Sequence, residues 1–388
     1  MRIGIDYTTG VWHGAGVARY TRSLVRALLQ MDRTHEYTLF YGGAGLPRDT
    51  PEYAFLTQLL AHHRNARAHE LPMSARMLGI LWNRLRMPVA ADRMIGGVDV
   101  LHAPDFIAPP VRGARSVITI HDLSFLVLPE VTDPGNRAYL QRHVPRAARQ
   151  ATRVVAVSET TRRDVVEWLQ IPPERVVTVH NGVDGQFRSF TYGDLQAEAP
   201  AARRRLGLPA RYLLHVGTIE PRKNLTRLIL AYARLVQHDR DAGHDLVLAG
   251  RRGWMYDSIF QAAAASGVAQ RIHFIDYVAE EDLTLLYNMA TLFVYPSLYE
   301  GFGLPVLEAM ACGTPVIASR TPALAEIGGL AVMLVDPTAE EAITAALELV
   351  LESAEVRRNL HAAGLQRAAL YPWSAAANQM LGLYESLA

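Results

Sequence analysis

Leu213-Leu214-His215-Val216-Gly217-Thr218-Ile219-Glu220-Pro221-Arg222-Lys223-Asn224 reads as a short apolar strand running into a glycine turn and a basic loop. Further short β-branched runs follow at Leu246–Gly250, Ile272–Ile275, Leu292–Tyr295, Pro315–Ala318 and Ala331–Val335. The preceding half has the same rhythm at Ile3–Tyr7, Tyr37–Tyr41, Val98–His102, Val117–His121, Val154–Ser158 and Val176–His180. Each run is separated from the next by room for a helix, the pattern of parallel sheets with crossover helices. Between the two series lie the turn residues Asn181-Gly182-Val183-Asp184 and a polar, Ala- and Arg-rich stretch to Pro209. The expected fold class is α/β, with two doubly wound parallel-sheet domains, 1–190 and 191–371, facing a central cleft. Residues 372–388 form a C-terminal helix expected to cross back to the first domain. Open parallel sheets bind ligands at the carboxyl ends of their strands, which puts the expected site in that cleft.

At 388 residues, 50% hydrophobic and 20% charged, the chain has the length and balance of two soluble domains. One cysteine, Cys312, excludes an internal disulfide framework and a cysteine-rich metal site. Met1-Arg2-Ile3-Gly4-Ile5-Asp6 lacks the pattern of a secretory leader, and no apolar run approaches the ~18 residues of a membrane span. A cytoplasmic location is expected. Net charge is +1, yet residues 1–190 carry 23 Arg against 17 Asp and Glu, while 191–388 carry 16 Lys and Arg against 21. A basic first half suits an anionic membrane face or a phosphorylated substrate. With no zinc spacing, RNA-binding signature or low-complexity tract, nucleic acid is not an expected partner.

Lys223 is the only lysine, and the other 38 basic side chains are arginine. An ammonium is a compact point charge and a guanidinium a rigid planar fork, so the two are not equivalent against phosphate. One residue of a rare type has to fall somewhere, but its neighbours Arg222 and Asn224 suit phosphate contact as well. The second motif, Glu300-Gly301-Phe302-Gly303-Leu304-Pro305-Val306-Leu307-Glu308, follows the strand ending at Tyr295. Pro305 suits a first helical position, which leaves Gly301–Leu304 as a flexible approach whose amides, with the helix N-terminus, make a candidate anion site. Glu308 falls one turn into that helix and Glu300 on the loop before it. The two carboxylates can then address different parts of one elongated ligand, one the hydroxyls of a ribose and the other those of a sugar. A single Glu at a helix start more often complements the helix dipole. Two at this spacing, with a basic pair opening the same domain, are less ordinary.

Glu300-x7-Glu308, the Gly217-Thr218-x3-Arg222-Lys223-Asn224 loop, Val117-Ile118-Thr119-Ile120-His121-Asp122 and Gly16-Val17-Ala18-Arg19-Tyr20 together resemble the retaining glycosyltransferases of the family-four type with the GT-B fold. The resemblance runs from Ile3 to the C-terminal helix, and the Gly16–Tyr20 and Gly217–Asn224 segments are most similar to bacterial mannosyltransferases of surface polysaccharide assembly. It implies that Arg222 and Lys223 hold the donor diphosphate and stabilise its charge as the glycosidic bond breaks, without a metal or other cofactor. It further implies that Glu308 binds the ribose and that Glu300 and the amides of Gly301, Phe302, Gly303 and Leu304 hold the donor sugar. Val278 would lie in the nucleobase loop, and His121 would reach the sugar from the first domain. Gly16 should let the first loop approach the phosphates closely. The implied reaction moves a hexose onto a glycan or lipid-linked acceptor, with GDP-mannose the favoured donor and a UDP-sugar the runner-up.

Two positions depart from the family pattern: the second glycine of the opening is Ala18, which predicts a stiffer loop, and a glycine before the nucleobase loop is Asp276. Met73–Met87 combines Met77, Leu78, Ile80, Leu81, Trp82 and Leu85 with Arg76, Arg84 and Arg86, the pattern of an amphipathic helix on anionic lipid or of a core-facing helix. A nicotinamide dehydrogenase would want Gly-x-Gly-x-x-Gly after the first strand, whereas Gly14-Ala15-Gly16 is followed by Arg19 in place of the third glycine. A nucleotide-sugar epimerase would need acid and base groups that no segment singles out. A catalytically silent sugar-binding module is at odds with the intact set Arg222, Lys223, Glu300 and Glu308.

Overall fold

A computed structural model describes residues 1–12, 16–85, 87 and 89–388. Gly14 and Ala15 of the dinucleotide comparison, and Arg86 of the amphipathic run, lie outside the described residues. The chain divides into two compact units, one of Met1–Leu123, Ala138–Gly182 and Pro372–Ala388, the other of Ser124–Arg137 and Val183–Tyr371. The boundary expected at 190/191 thus stands at Gly182/Val183. Ser124–Arg137, which carries the turn cluster Asp133-Pro134-Gly135-Asn136 near its end, sits with the second unit, where the Val131 carbonyl accepts a hydrogen bond from Trp254 Nε1 at 2.8 Å.

In the first unit the described strands are β1 Arg2–Asp6, β2 Glu36–Gly42, β3 Ala66–Leu71, β4 Val100–Ala103, β5 Arg115–Ile120, β6 Arg153–Ala156 and β7 Val176–Thr178. They form one parallel sheet in the order β3-β2-β1-β4-β5-β6-β7, which reverses direction between β1 and β4. β3 has no counterpart among the apolar runs of the sequence, because as an edge strand it buries only Leu71 fully and leaves Arg67, Ala68 and Glu70 exposed. Helix Gly16–Met31 buries Tyr20, Leu24, Val25 and Leu28 and packs against helix Trp373–Glu385 of the same unit. Ala18 lies inside the former helix at 1% exposure, so the expected stiffening of a loop does not arise: its methyl is core packing.

Met73–Met87 is not one amphipathic helix. A short helix, Ala75–Gly79, passes into a π-helical turn, Ile80–Arg84. Leu78 faces a core of Phe40, Leu71, Ile95 and Leu101, whereas Met77 (54% exposed), Ile80 (39%), Leu85 (61%) and Met87 (43%) face outward.

The second unit holds β8 Tyr212–Val216, β9 Asp245–Ala249, β10 Ile272–Ile275, β11 Leu292–Tyr295, β12 Val316–Ser319 and β13 Met333–Val335. These pair in parallel in the order β10-β9-β8-β11-β12-β13. Helix Leu225–Gln237 covers the sheet with Leu225, Leu228, Ile229, Tyr232 and Leu235, recurring every three or four residues. Those side chains meet Leu213, Leu246, Leu248, Val294 and Ile317 in a closed core, each fully buried aliphatic contributing about 1.5–3 kcal/mol. Because β8 and β11 are neighbours at the reversal point, the loops leaving their carboxyl ends meet.

Candidate functional site

After β8 the chain turns through Gly217–Glu220 into a 3-10 turn, Pro221–Lys223, and Asn224 opens the following helix in left-handed backbone at φ 59°. Asparagine tolerates that conformation better than most residues. Its amide donates to the carbonyls of Pro296 (3.0 Å) and Pro337 (2.8 Å), and its oxygen accepts from Arg227 (2.6 Å). Asn224, expected to suit phosphate contact, is therefore a pin for the loop: both amide protons already have partners in the protein.

The pinned loop presents Arg222 and Lys223 to the segment after β11. Lys223, 6% exposed, places Nζ 2.5 Å from Glu300 Oε1 and donates to the Tyr295 hydroxyl at 2.8 Å. Arg222 Nη1 stands 3.0 Å from the other carboxylate oxygen, Oε2, and donates to the Tyr299 carbonyl at 3.0 Å. Its Nη2 lies 2.8 Å from Glu220 Oε1. Two cations thus converge on one carboxylate, one at each oxygen, with a second carboxylate behind Arg222. Tyr295 stacks on His215, centroids 5.4 Å apart, and His215 Nδ1 donates to the Val294 carbonyl at 3.0 Å. Burial lowers the His215 pKa to about 4, so this imidazole is neutral.

Burial works to raise the Glu300 pKa, but the adjoining Arg222 and Lys223 charges overcome it and hold the group at about 2. The carboxylate is charged at neutral pH. Lys223 moves the other way, because burial and the neighbouring Arg222 lower its pKa while Glu300 and Glu220 support its charge. Burial raises the Glu220 pKa against the pull of Arg222 and Lys223.

Glu308 lies on helix Leu304–Ala311 at 1% exposure and accepts the Tyr287 hydroxyl at 2.9 Å. The approach to that helix is not the flexible stretch expected. Gly301, Phe302 and Gly303 are buried, and Phe302 packs edge-on to Tyr371 at 6.1 Å. Gly303 adopts φ 104°, and a Cβ there would stand 2.5 Å from Leu324 Cδ2. Leu304 is the first residue of the helix, with Pro305 in its first turn. Val278 is buried at 5% exposure, next to an exposed Tyr277 whose ring lies 4.4 Å from the Arg251 guanidinium. Asp276, at the departing glycine position, accepts the Tyr277 amide at 2.8 Å and so sets the local turn.

In the first unit Gly16 starts its helix, and a Cβ there would meet no atom of the described residues beyond its chain neighbours within 4 Å. His121 follows β5 and is half-buried, with the Tyr20 ring edge-on at 4.7 Å and Phe106 at 5.5 Å. Its Nε2 lies 2.8 Å from the Pro104 carbonyl. A carbonyl only accepts, so Nε2 carries the proton, and burial, which lowers the His121 pKa, keeps the ring neutral with Nδ1 as an acceptor. Tyr20, in turn, lies 3.1 Å from Thr119 Oγ1, which is 2.9 Å from His102 Nε2, and His102 Nδ1 is 2.7 Å from the Tyr384 hydroxyl. The C-terminal helix is thereby wired to Thr119 of β5, the strand just before His121. Sequence reasoning gave no role to Glu220, Tyr287, Tyr295, His215 or Tyr20. Tyr20 closes the Gly16–Tyr20 motif and Glu220 stands two places before Arg222, whereas the other three meet their partners across the fold.

Residues 14–187 match the family described as Glycosyltransferase Family 4, and residues 200–367 that described as Glycosyl transferases group 1. The O-antigen chain mannosyltransferase B of Escherichia coli is 30% identical over 384 residues, 96% of either chain. The chain belongs to the family-four, group 1 glycosyltransferases. A D-inositol 3-phosphate glycosyltransferase of Salinispora arenicola is 30% identical over 322 residues, covering 76% of this chain and 70% of that one. Among solved structures, sucrose-phosphate synthase from Thermosynechococcus elongatus matches 100% of this chain and 99% of its own with TM-score 0.75 at 22% identity. Anabaena HepE in complex with UDP and glucose matches 100% of both chains with TM-score 0.74 at 18% identity. These likenesses show the fold, and the two parallel-sheet units are those of a GT-B glycosyltransferase. Arg222, Lys223, Glu300 and Glu308 fall in the group 1 segment, and Gly16 and His121 in the family-four segment.

Proposed function

We propose that this glycosyltransferase is a metal-independent, retaining enzyme that moves mannose from GDP-mannose to a glycan or lipid-linked acceptor in surface polysaccharide synthesis. The observation that carries the reading is the convergence of Arg222 and Lys223, both largely buried, at one two-oxygen anion seat. Preorganised cations in low-dielectric surroundings stabilise a leaving diphosphate without a divalent ion. In this assignment Glu308 reads the ribose hydroxyls, Val278 belongs to the nucleobase loop, and Glu300 with the amides of Gly301–Leu304 addresses the donor sugar. His121 accepts a sugar hydroxyl proton at Nδ1, and Gly16 lets backbone approach the phosphates. Retention is supported by the resemblance to the retaining family-four glycosyltransferases, with a carboxylate and two cations gathered on the donor side.

Mannose is supported by the name of the E. coli relative, whose match covers 96% of this chain. A UDP-sugar is the competing donor, favoured by the UDP and glucose bound to HepE. No helix among the described residues is long and apolar enough to cross a membrane. We assign the outward Met77, Ile80, Leu85 and Met87, with Arg76 and Arg84, to an anionic membrane at the cytoplasmic face, where a lipid-linked acceptor would be presented. The chain just beyond lines a cavity of about 350 Å³ with Val89, Ala90, Arg93, Met94 and Arg112, extending the cationic and apolar character. Co-sedimentation with phosphatidylglycerol vesicles, and none with phosphatidylcholine, is the result that supports this surface.

A donor panel read by thermal unfolding tests the central reading. A ligand at 100 times its Kd stabilises by about 2.7 kcal/mol, so GDP-mannose should raise Tm by several degrees and UDP-sugars should not. The reverse ranking transfers the assignment to a UDP-sugar, and stabilisation by no nucleotide sugar refutes it.

A further inference from the structure

The cluster at the end of β8 and β11 is electrically balanced: Glu220 and Glu300 face Arg222 and Lys223. Glu300 offers one oxygen to each cation, at 2.5 Å and 3.0 Å, as two terminal oxygens of a phosphate would. All four side chains are largely buried, so this is not a surface ion pair of negligible strength. A diphosphate cannot take both cations while Glu300 keeps them, because three anionic groups in one dry seat repel each other.

Resting on the donor site proposed above, we propose that Glu300 is an intramolecular counterion that the donor's diphosphate displaces, and that this exchange lets the enzyme discriminate a nucleotide sugar from a bare nucleoside diphosphate. A displaced buried carboxylate needs new hydrogen-bond donors. The hydroxyls of a sugar attached to the diphosphate supply them. A nucleoside diphosphate without its sugar supplies none, so it binds at the expense of an unsatisfied carboxylate. Once the sugar has been transferred, Glu300 loses its hydroxyl partners and competes again for Arg222 and Lys223, which speeds release of the spent nucleotide. Glu308 takes no part in the exchange, being held by Tyr287.

Calorimetric titration with inorganic pyrophosphate, GDP and GDP-mannose tests the exchange on wild type, Glu300→Gln, Arg222→Ala and Lys223→Ala. Glu300→Gln removes the competing charge at constant shape, so pyrophosphate and GDP should bind about 10-fold tighter or more. The affinity ratio of GDP-mannose to GDP should fall, while Arg222→Ala and Lys223→Ala should weaken all three ligands. Glu300→Asp, whose shorter side chain cannot reach both cations, should shift pyrophosphate affinity in the same direction, and carries the test if the Gln variant fails to fold by circular dichroism. Unchanged or weaker pyrophosphate binding in folded Glu300 variants overturns the counterion role, and the donor site stands if the Arg222 and Lys223 variants still lose affinity. Pyrophosphate binding indifferent to Arg222 and Lys223 overturns both.

Discussion

Lys223→Arg keeps the charge at the diphosphate seat and changes only its shape. The ammonium sits 2.5 Å from Glu300 Oε1, 2.8 Å from the Tyr295 hydroxyl and 5.0 Å from the centroid of the Tyr295 ring, at 6% exposure. That seat is packed around a single nitrogen. A guanidinium is larger and its donors lie in one plane, so it must either overpack the seat or withdraw from one partner. One charge-assisted hydrogen bond contributes about 1.5–3 kcal/mol, and losing it at the leaving group lowers turnover by roughly 10- to 100-fold. Lys223→Ala should be worse and harder to interpret, because leaving Glu300 with one cation also destabilises the fold, by about 3–5 kcal/mol for a broken buried pair. The assay is the initial rate of mannosyl transfer from radiolabelled GDP-mannose to an oligomannoside at saturating donor, with Tm measured on the same sample. Wild-type turnover in a folded Arg variant would show that the shape of the cation is irrelevant and refute the reasoning.

Glu308→Gln should weaken GDP binding more than it lowers turnover at saturating donor, whereas Glu300→Gln should lower turnover without weakening GDP binding; steady-state kinetics set against titration would expose a reversed division. Gly303→Ala should lower stability by about 2 kcal/mol or more, from left-handed backbone and the collision with Leu324, and an unchanged urea midpoint would contradict it. The Glu300 pKa is depressed from 4.5 to about 2, so its ion pairs stabilise the fold above pH 4.5 and are lost as pH falls from 4.5 towards 2. The stability difference between wild type and Glu300→Gln should therefore shrink over that window, and a difference constant with pH would count against the pairing.

The strands of the second unit were legible because each is a mainly apolar run closed by Gly, Pro, Ser or Asp, the mark of a largely covered strand. Ala66–Leu71 carried no such mark, since an edge strand can be polar. The site was legible as residue types and not as geometry. Lys223 and Glu300 are 77 residues apart and meet because β8 and β11 are neighbours, a fact of sheet order that local periodicity does not encode. For the same reason Asn224 passed for a ligand: its two carbonyl partners, Pro296 and Pro337, come from distant loops. Gly301–Gly303 passed for a flexible loop because two glycines permit mobility, while the burial of Phe302 and the Leu324 side chain remove it.

The most direct test of the central claim is the product formed from GDP-mannose and an oligomannoside acceptor in excess chelator, with its linkage read by NMR. Retaining, metal-independent transfer predicts full activity and a new bond with the donor's anomeric configuration. An inverted linkage, or activity that stops with chelator and returns with Mg²⁺ or Mn²⁺, would contradict it.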